Sequence, residues 1–307
     1  RIFLRQIFPA IRNDPMNILV TGINGQVGWE LLRQGPLHGC QIIGFDRHAL
    51  DITDSQAISR EIEKHTPDLV INCAAYTAVD KAEEEQEKAW AVNRDGPALL
   101  AASCARRHIP LIHLSTDYVF NGQADRPYTE TSPAAPLGIY GLSKAAGEEE
   151  VRAIHANHLI IRTSWVYGVH GSNFVKTILR LGLERERLKG VDEQWGCHTC
   201  AGDLAVALLT MAKKIHAGQT DCWGTYHCCG ATVVSWYQFS TLIIDLARKI
   251  HPVKVRKIIP ITSEEYPTPA PRPKYSVLDC RKMQNVFGIC LPDLPTSLET
   301  FFAELRK

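Results

Sequence analysis

Tyr140 and Lys144 stand four residues apart, so on a helix they project from one face and reach one site. A phenol with its ordinary pKa of ~10 is a poor proton shuttle at neutral pH, and an adjacent ammonium favours the phenolate. The pair suits proton delivery to an oxygen that gains charge as its carbon is reduced. Thr116, within Leu114-Ser115-Thr116-Asp117-Tyr118-Val119-Phe120, adds a hydroxyl able to orient that oxygen and tune Tyr140. Each has a plain structural explanation on its own: neighbours on an exposed helix, or a strand-end turn. Upstream, Gly22-Ile23-Asn24-Gly25-Gln26-Val27-Gly28 has the spacing at which small residues admit a pyrophosphate to the backbone and a helix N-terminus offsets its charge. Asp46 follows where an acidic residue binds the adenosine ribose and favours NADH, while Arg33 or Arg47 is suited to the 2′-phosphate of NADPH. Both cofactors stay open.

These side chains need a frame that holds them together. Short apolar runs at Asn17–Val20, Cys40–Phe45, Asp68–Cys73, Leu111–Ser115 and His158–Arg162 read as strands. Between them, Gln26–Gln34, Ser55–Lys64, Glu84–Arg107 and Gly138–His155 read as helices. The alternation predicts an α/β fold, a Rossmann-type doubly wound parallel sheet, with Thr116 at the strand end where such sheets place ligands. Further helices are expected at Asn173–Glu186, Asp203–Ala217 and Trp236–Lys249. Pro260, Pro267, Pro269, Pro271 and Pro273 then argue for a loop. The expected organisation is a leader at 1–15 and a dinucleotide-binding domain at 16–170, to which 196–228 returns. A smaller substrate-binding portion takes 171–195 and 229–307.

Lys plus Arg (34) nearly balances Asp plus Glu (33) with no long basic block, so neither nucleic acid nor a membrane surface is an expected partner. No apolar run approaches the ~18 residues of a membrane span. The ten cysteines are scattered through a long chain, which fits reduced thiols in a cytoplasm better than a disulfide framework. Cys197-His198-Thr199-Cys200, with Cys222, His227, Cys228 and Cys229, holds one Cys-x-x-Cys pair where a zinc site wants two, so buried thiols are the expectation.

Longer motifs are more specific. Asn72-Cys73-Ala74-Ala75-Tyr76-Thr77-Ala78-Val79-Asp80-Lys81-Ala82-Glu83, Arg162-Thr163-Ser164-Trp165-Val166-Tyr167-Gly168 and Tyr266-Pro267-Thr268-Pro269-Ala270-Pro271-Arg272-Pro273 join the glycine triplet, the Thr116 segment and Tyr140-Gly141-Leu142-Ser143-Lys144. Together they make the chain, from Met16 on, resemble the extended short-chain dehydrogenases, most closely the dTDP-4-dehydrorhamnose reductase family. The resemblance implies reduction of the C4 keto group of dTDP-6-deoxy-L-lyxo-4-hexulose to dTDP-L-rhamnose with NADPH or NADH. It implies catalytic roles for Thr116, Tyr140 and Lys144, with the last two also meeting the cofactor. Gly22, Gly25, Gln26, Val27 and Gly28 would surround the pyrophosphate, Asp46 the ribose, Asp51 and Ile52 the adenine, and Ala75, Tyr76 and Thr77 the middle of the cofactor. Thr116, Asp117 and Trp165 would line the sugar pocket, with Val79 nearby; a core aromatic is the plainer role for Trp165. Some relatives form magnesium-bridged dimers, so a homodimer and Mg2+ are carried as expectations, with no residue assigned to a metal. His198 stands where the family usually has proline in Asp-Gln-x-Gly-x-Pro-Thr. A nucleotide-sugar dehydratase or epimerase shares most of these motifs, but Tyr118 occupies the position of a dehydratase's second acid. A regulatory subunit like the methionine adenosyltransferase beta subunit is the non-enzyme alternative.

Overall fold

A computed structural model of the chain describes residues 15–250 and 252–306. The leader expected at 1–15 thus lies, save its last residue, outside the described residues. The chain enters through β1 (Met16–Thr21), turns at the glycines into α1 (Gln26–Gln34), and returns through β2 (Cys40–Phe45). Helix α2 (Ser55–His65) leads to β3 (Leu69–Asn72). The Asp54 carboxylate caps α2 by accepting from the backbone N–H groups of Gln56 and Ala57, a device that contributes ~1 kcal/mol.

The helical stretch expected as one piece at Glu84–Arg107 is broken. Two short helices, α3 (Val79–Ala82) and α4 (Gln86–Trp90), precede a π turn over Ala91–Asp95, and α5 (Gly96–Ala105) follows. Pro97 has no N–H to return to the Asn93 carbonyl, so the regular ladder fails there. Gly147 packs directly on that carbonyl, where a Cβ would come within 2.0 Å of the oxygen. Then come β4 (Leu111–Thr116), α6 (Ile139–Ile154) and β5 (His158–Thr163).

The second half runs β6 (Val166–Tyr167), α7 (Phe174–Glu184), β7 (Arg187–Val191), β8 (Trp195–Cys197), β9 (Thr199–Cys200), α8 (Ala201–His216) and β10 (Gly224–His227). It ends with β11 (Val233–Ser235), α9 (Trp236–Arg248), β12 (Lys257–Ile261), α10 (Arg281–Phe287) and α11 (Leu294–Leu305). Six strands form one parallel sheet in the order β10-β5-β4-β3-β1-β2. Both faces are covered: α1 and α8 bury Leu31, Leu204 and Leu208 on one side, and α2, α5 and α6 bury Ile62, Leu100 and Val151 on the other. Two-sided burial explains why β3 and β5 read as unbroken apolar runs rather than alternating ones. The order reverses direction at β1, which opens a crevice at the C-terminal ends of β1 and β3.

Outside the sheet, three two-stranded ribbons carry the chain: β7 with β12, β8 with β11, and β6 with β9. Pro260 is a correction to the loop expected there, since it lies within β12 opposite Gly190. A two-stranded ribbon has a free edge, and a residue without an N–H is tolerated on it. The remaining prolines lie in irregular chain. An aromatic cluster fills this half, with Trp165 stacked on Trp236 at 3.6 Å between centroids and Tyr167 edge-on to Phe239 and Phe301.

Candidate active site

The glycine turn is forced by close approach. Gly22 has φ +72°, and a Cβ there would lie 2.6 Å from the Ala74 nitrogen. Gly28 seats α1 on the turn, since a Cβ would meet the Gly22 carbonyl at 2.4 Å. Gly25 stands at the start of α1, where a Cβ would come within a tight 3.2 Å of the Gly22 carbonyl oxygen. Gly25 lines a cleft of about 620 Å³ which also takes in Gly22, Gln26, Val27, Gly28, Asp46, Asp51, Ile52, Ala75 and Thr77. Tyr140 and Lys144 line its far end, together with Cys73, Ser115 and Thr163. Tyr76, Val79, Thr116, Asp117 and Trp165 do not line it. A larger cavity, about 940 Å³, opens beside Tyr128, Cys229 and Cys280, but neither the glycine turn nor Tyr140 and Lys144 reach it. Chemistry, not size, identifies the site.

The structure separates the two candidate arginines. Arg47 lines the cleft with a side chain 67% exposed, 3.7 Å from Asp51. Arg33 is engaged by Glu30 and Glu304 outside the cleft. Asp46 accepts from the backbone N–H groups of His48 and Ala49 and from the Asn24 amide, which holds its carboxyl below the usual range.

Tyr140 sits in the first turn of α6, whose N-terminus is capped from a distance: the Glu83 carboxylate accepts from the Ile139 N–H at 2.9 Å. Burial pushes the Tyr140 phenol up to about 12; a Thr116 hydrogen bond works against that rise and the Asp117 charge adds to it. Lys144 is not among the groups that offset it, which departs from the sequence-based expectation. Thr116 has one hydroxyl proton. It is directed at Asp117 Oδ1, 3.1 Å away, while its oxygen accepts from the Tyr118 N–H. Donation to Tyr140 therefore competes with donation to Asp117. Asp117 is buried and its carboxyl is raised to about 6 by burial, against the pull of the nearby Ser276 and Thr116 hydroxyls; among the described residues its Oδ2 has no hydrogen-bond partner.

Trp165 carries φ +47°, a strained backbone for a bulky residue. Its ring lies against Trp236 and Gly196, so it belongs in part to the aromatic core. The proline-rich segment is fastened across this end. Arg272 makes a two-pronged ion pair with Asp80 at 2.9 and 3.0 Å, and Asp80 also accepts from the Ala270 N–H. The Arg272 guanidinium lies over the Tyr118 ring, which in turn is edge-on to Tyr140.

Lys144 is buried and donates to the Leu114 carbonyl at 2.6 Å. Burial lowers its ammonium to about 8, partly offset by Glu148 and Cys73. Glu148, one turn on, is itself buried and held by Arg162 in two hydrogen bonds of 2.8 and 2.6 Å. Sequence reading missed Glu148, Arg162, Asn72, His113 and Asn93. Asn93 uses its amide to hold the Tyr76 backbone and Ser143, so the π turn positions one wall of the cleft. A polar residue inside an otherwise apolar strand, as at Asn72 and His113, was the available signal.

Residues 16–307 match the family model described as the RmlD substrate binding domain. A curated dTDP-4-dehydrorhamnose reductase from Sinorhizobium fredii is 41% identical over 91% of this chain and 94% of its own length. The chain belongs to the dTDP-4-dehydrorhamnose reductase family. Among solved dTDP-4-dehydrorhamnose reductases, that of Clostridium acetobutylicum superposes with a TM-score of 0.88 at 38% identity, covering 95% of this chain and 100% of the other. That of Bacillus anthracis, solved in complex with NADP, gives 0.86 at 38% identity, covering 94% and 99%. Against the dTDP-4-dehydrorhamnose reductase pattern, His198 is the departure. It is fully buried beside Tyr167 and Phe239, neither ring nitrogen has a partner among the described residues, and burial lowers it to about 4. No group of three or more His, Cys, Asp or Glu among the described residues is placed to hold a metal ion. Nor is any helix among them long and apolar enough to cross a membrane.

Proposed function

We propose that this chain reduces the C4 keto group of dTDP-6-deoxy-L-lyxo-4-hexulose to dTDP-L-rhamnose, with Tyr140 as proton donor. The observation that carries the reading is the cleft itself, which joins the glycine turn at one end to Tyr140 and Lys144 at the other. Its residues fit a dinucleotide. Gly25, Gln26 and Val27 would hold the pyrophosphate at the N-terminus of α1, and Asp46 the ribose. Asp51 and Ile52 would flank the adenine, and Ala75, Tyr76 and Thr77 the middle of the cofactor. When bound, NADPH or NADH supplies the hydride. Arg47, exposed on the cleft rim, supports acceptance of a 2′-phosphate, and the NADP complex of the Bacillus anthracis relative agrees.

On the sugar side, Asp117 and Thr116 orient the substrate oxygens, Trp165 presents an indole edge, and Val79 lies on the approach. Residues 171–195 and 229–307 form this portion, while 16–170, with 196–228 returning, form the cofactor portion. Tyr140 delivers its proton to the C4 oxygen, and an ammonium at Lys144 would lower the cost of the phenolate left behind. The ten unpaired cysteines support a reducing compartment such as the cytoplasm.

The test is a coupled assay with the 4-keto nucleotide sugar and NADPH or NADH, following loss of reduced-nicotinamide absorbance. Tyr140→Phe should lower kcat by about 10²–10⁴-fold while the variant still binds cofactor. No absorbance change with the wild-type protein, or an unchanged kcat in Tyr140→Phe, would overturn the reading.

A further inference from the structure

The polar groups behind Lys144 admit one consistent placement of protons. The Ala74 N–H can only donate, and it reaches Asn72 Oδ1 at 3.1 Å; Thr21 Oγ1 donates to the same oxygen at 2.7 Å. These two donors fix which way the Asn72 amide points. Its nitrogen therefore donates to His113 Nδ1 at 3.0 Å. A ring nitrogen that accepts carries no proton, so neutral His113 carries its proton on Nε2. That N–H faces Lys144 Nζ, 3.3 Å away. An ammonium has no lone pair to receive it, and two opposed N–H donors in a site this deeply buried would repel each other. Nζ satisfies both neighbours only as an amine, accepting from His113 and donating to Leu114.

We propose that His113 is a positioning residue: with its tautomer fixed by Asn72, it favours the amine of Lys144 over the ammonium in the cofactor-free protein and so lowers the pH at which Lys144 takes up its proton. Protonation of Lys144 then becomes a separate step that arms Tyr140. The inference rests on the reductase reading only for that last consequence. The other groups facing Lys144 do not impose an ammonium. Cys73, beyond β3, is a thiol raised to about 12 by burial, and Tyr140, on α6, is a phenol raised likewise. Glu148, also on α6, is committed to Arg162 and Arg152. His158 of β5 lies near His113, and burial holds both imidazoles below their usual range. Burial lowers Lys144 to about 8, in the same direction as the geometry, so the amine prevails above that pH and the ammonium below it.

The test needs neither substrate nor cofactor. In protein labelled with 13C at lysine Cε, the Lys144 signal is identified by its loss in Lys144→Met and followed with pH. Its midpoint should lie about two pH units or more below the surface lysines. His113→Gln keeps the same order of groups, an acceptor towards Asn72 and a donor towards Nζ, and should keep the low midpoint. His113→Glu turns an acceptor towards Nζ and should raise the midpoint by about one unit or more. The alkaline limb of the kcat/KM profile should move with it. A wild-type Lys144 that titrates with the surface lysines overturns the proposal, and so do equal midpoints in the Gln and Glu variants. If His113→Glu does not fold, the wild-type titration still decides. Failure here leaves the reductase reading standing, because that is judged by turnover.

Discussion

Two buried polar sites, the Glu148–Arg162 pair beneath the sheet and His198 in the aromatic half, are held in opposite ways. Beneath the sheet, Glu148 and Arg162 are fully enclosed, and each carboxylate oxygen meets a guanidinium N–H. In the aromatic half, His198 is equally enclosed between Tyr167 and Phe239 with neither nitrogen partnered among the described residues. A paired charge holds α6 to β5, and so holds the helix that carries Tyr140 and Lys144. The buried imidazole packs as a neutral ring, and its neutrality is a condition of that half's stability.

The contrast can be broken most forcefully at Glu148. Glu148→Gln strands the Arg162 guanidinium in the interior and should cost about 3–5 kcal/mol in urea unfolding. Glu148→Leu combined with Arg162→Met should recover most of that loss, which would show that the pair is a matter of mutual satisfaction rather than net gain. In the other half, Phe239→Ala opens the stack shared by Trp165, Tyr167 and Phe174 and should cost about 3–5 kcal/mol. The aliphatic change Ile160→Val in β5 should cost only ~1 kcal/mol by the same measurement.

Acid sharpens the comparison. His198 and His227 are lowered by burial to about 4 and about 3, so between those values and ~6.5 the unfolded chain binds protons that the folded one refuses. Stability is therefore complete above pH ~6.5 and falls as pH drops, by about 2 kcal/mol per histidine at pH 5. His198→Leu should remove its share of the slope between unfolding curves taken at pH 7.5 and 5. The smallest expected effect is at the rim. Arg47→Ala should weaken NADPH roughly tenfold in KM and leave NADH nearly unchanged, whereas Arg33→Ala should not discriminate.

Much of this was legible in the chain itself. The strands announced themselves because both faces are covered, and the glycine turn, Tyr140 and Lys144 carry chemistry that few other arrangements explain. The π turn was not legible, because it depends on a missing N–H at Pro97 and a close approach by Gly147 from another helix. Nor did spacing distinguish Arg33 from Arg47: Glu304, which binds Arg33, lies almost at the other end of the chain. Pro260 misled because strand was judged by the central-strand rule, while the ribbon it joins has a free edge. Asn72 and His113 stood in plain view within strands, but their role appears only when three neighbouring strands are aligned.

One feature of the sheet bears on how the chain reaches its fold. Strand β5 ends at Thr163, yet its outer neighbour β10 begins only at Gly224. During synthesis the row of amides and carbonyls along β5 is exposed while the intervening ribbons and α8 emerge. Closing that edge is a long-range event with a correspondingly large loop-closure cost, so β10 docking is the expected slow phase of refolding. Until it occurs, β5 offers a free edge to other nascent chains, and aggregation during refolding should rise steeply with protein concentration.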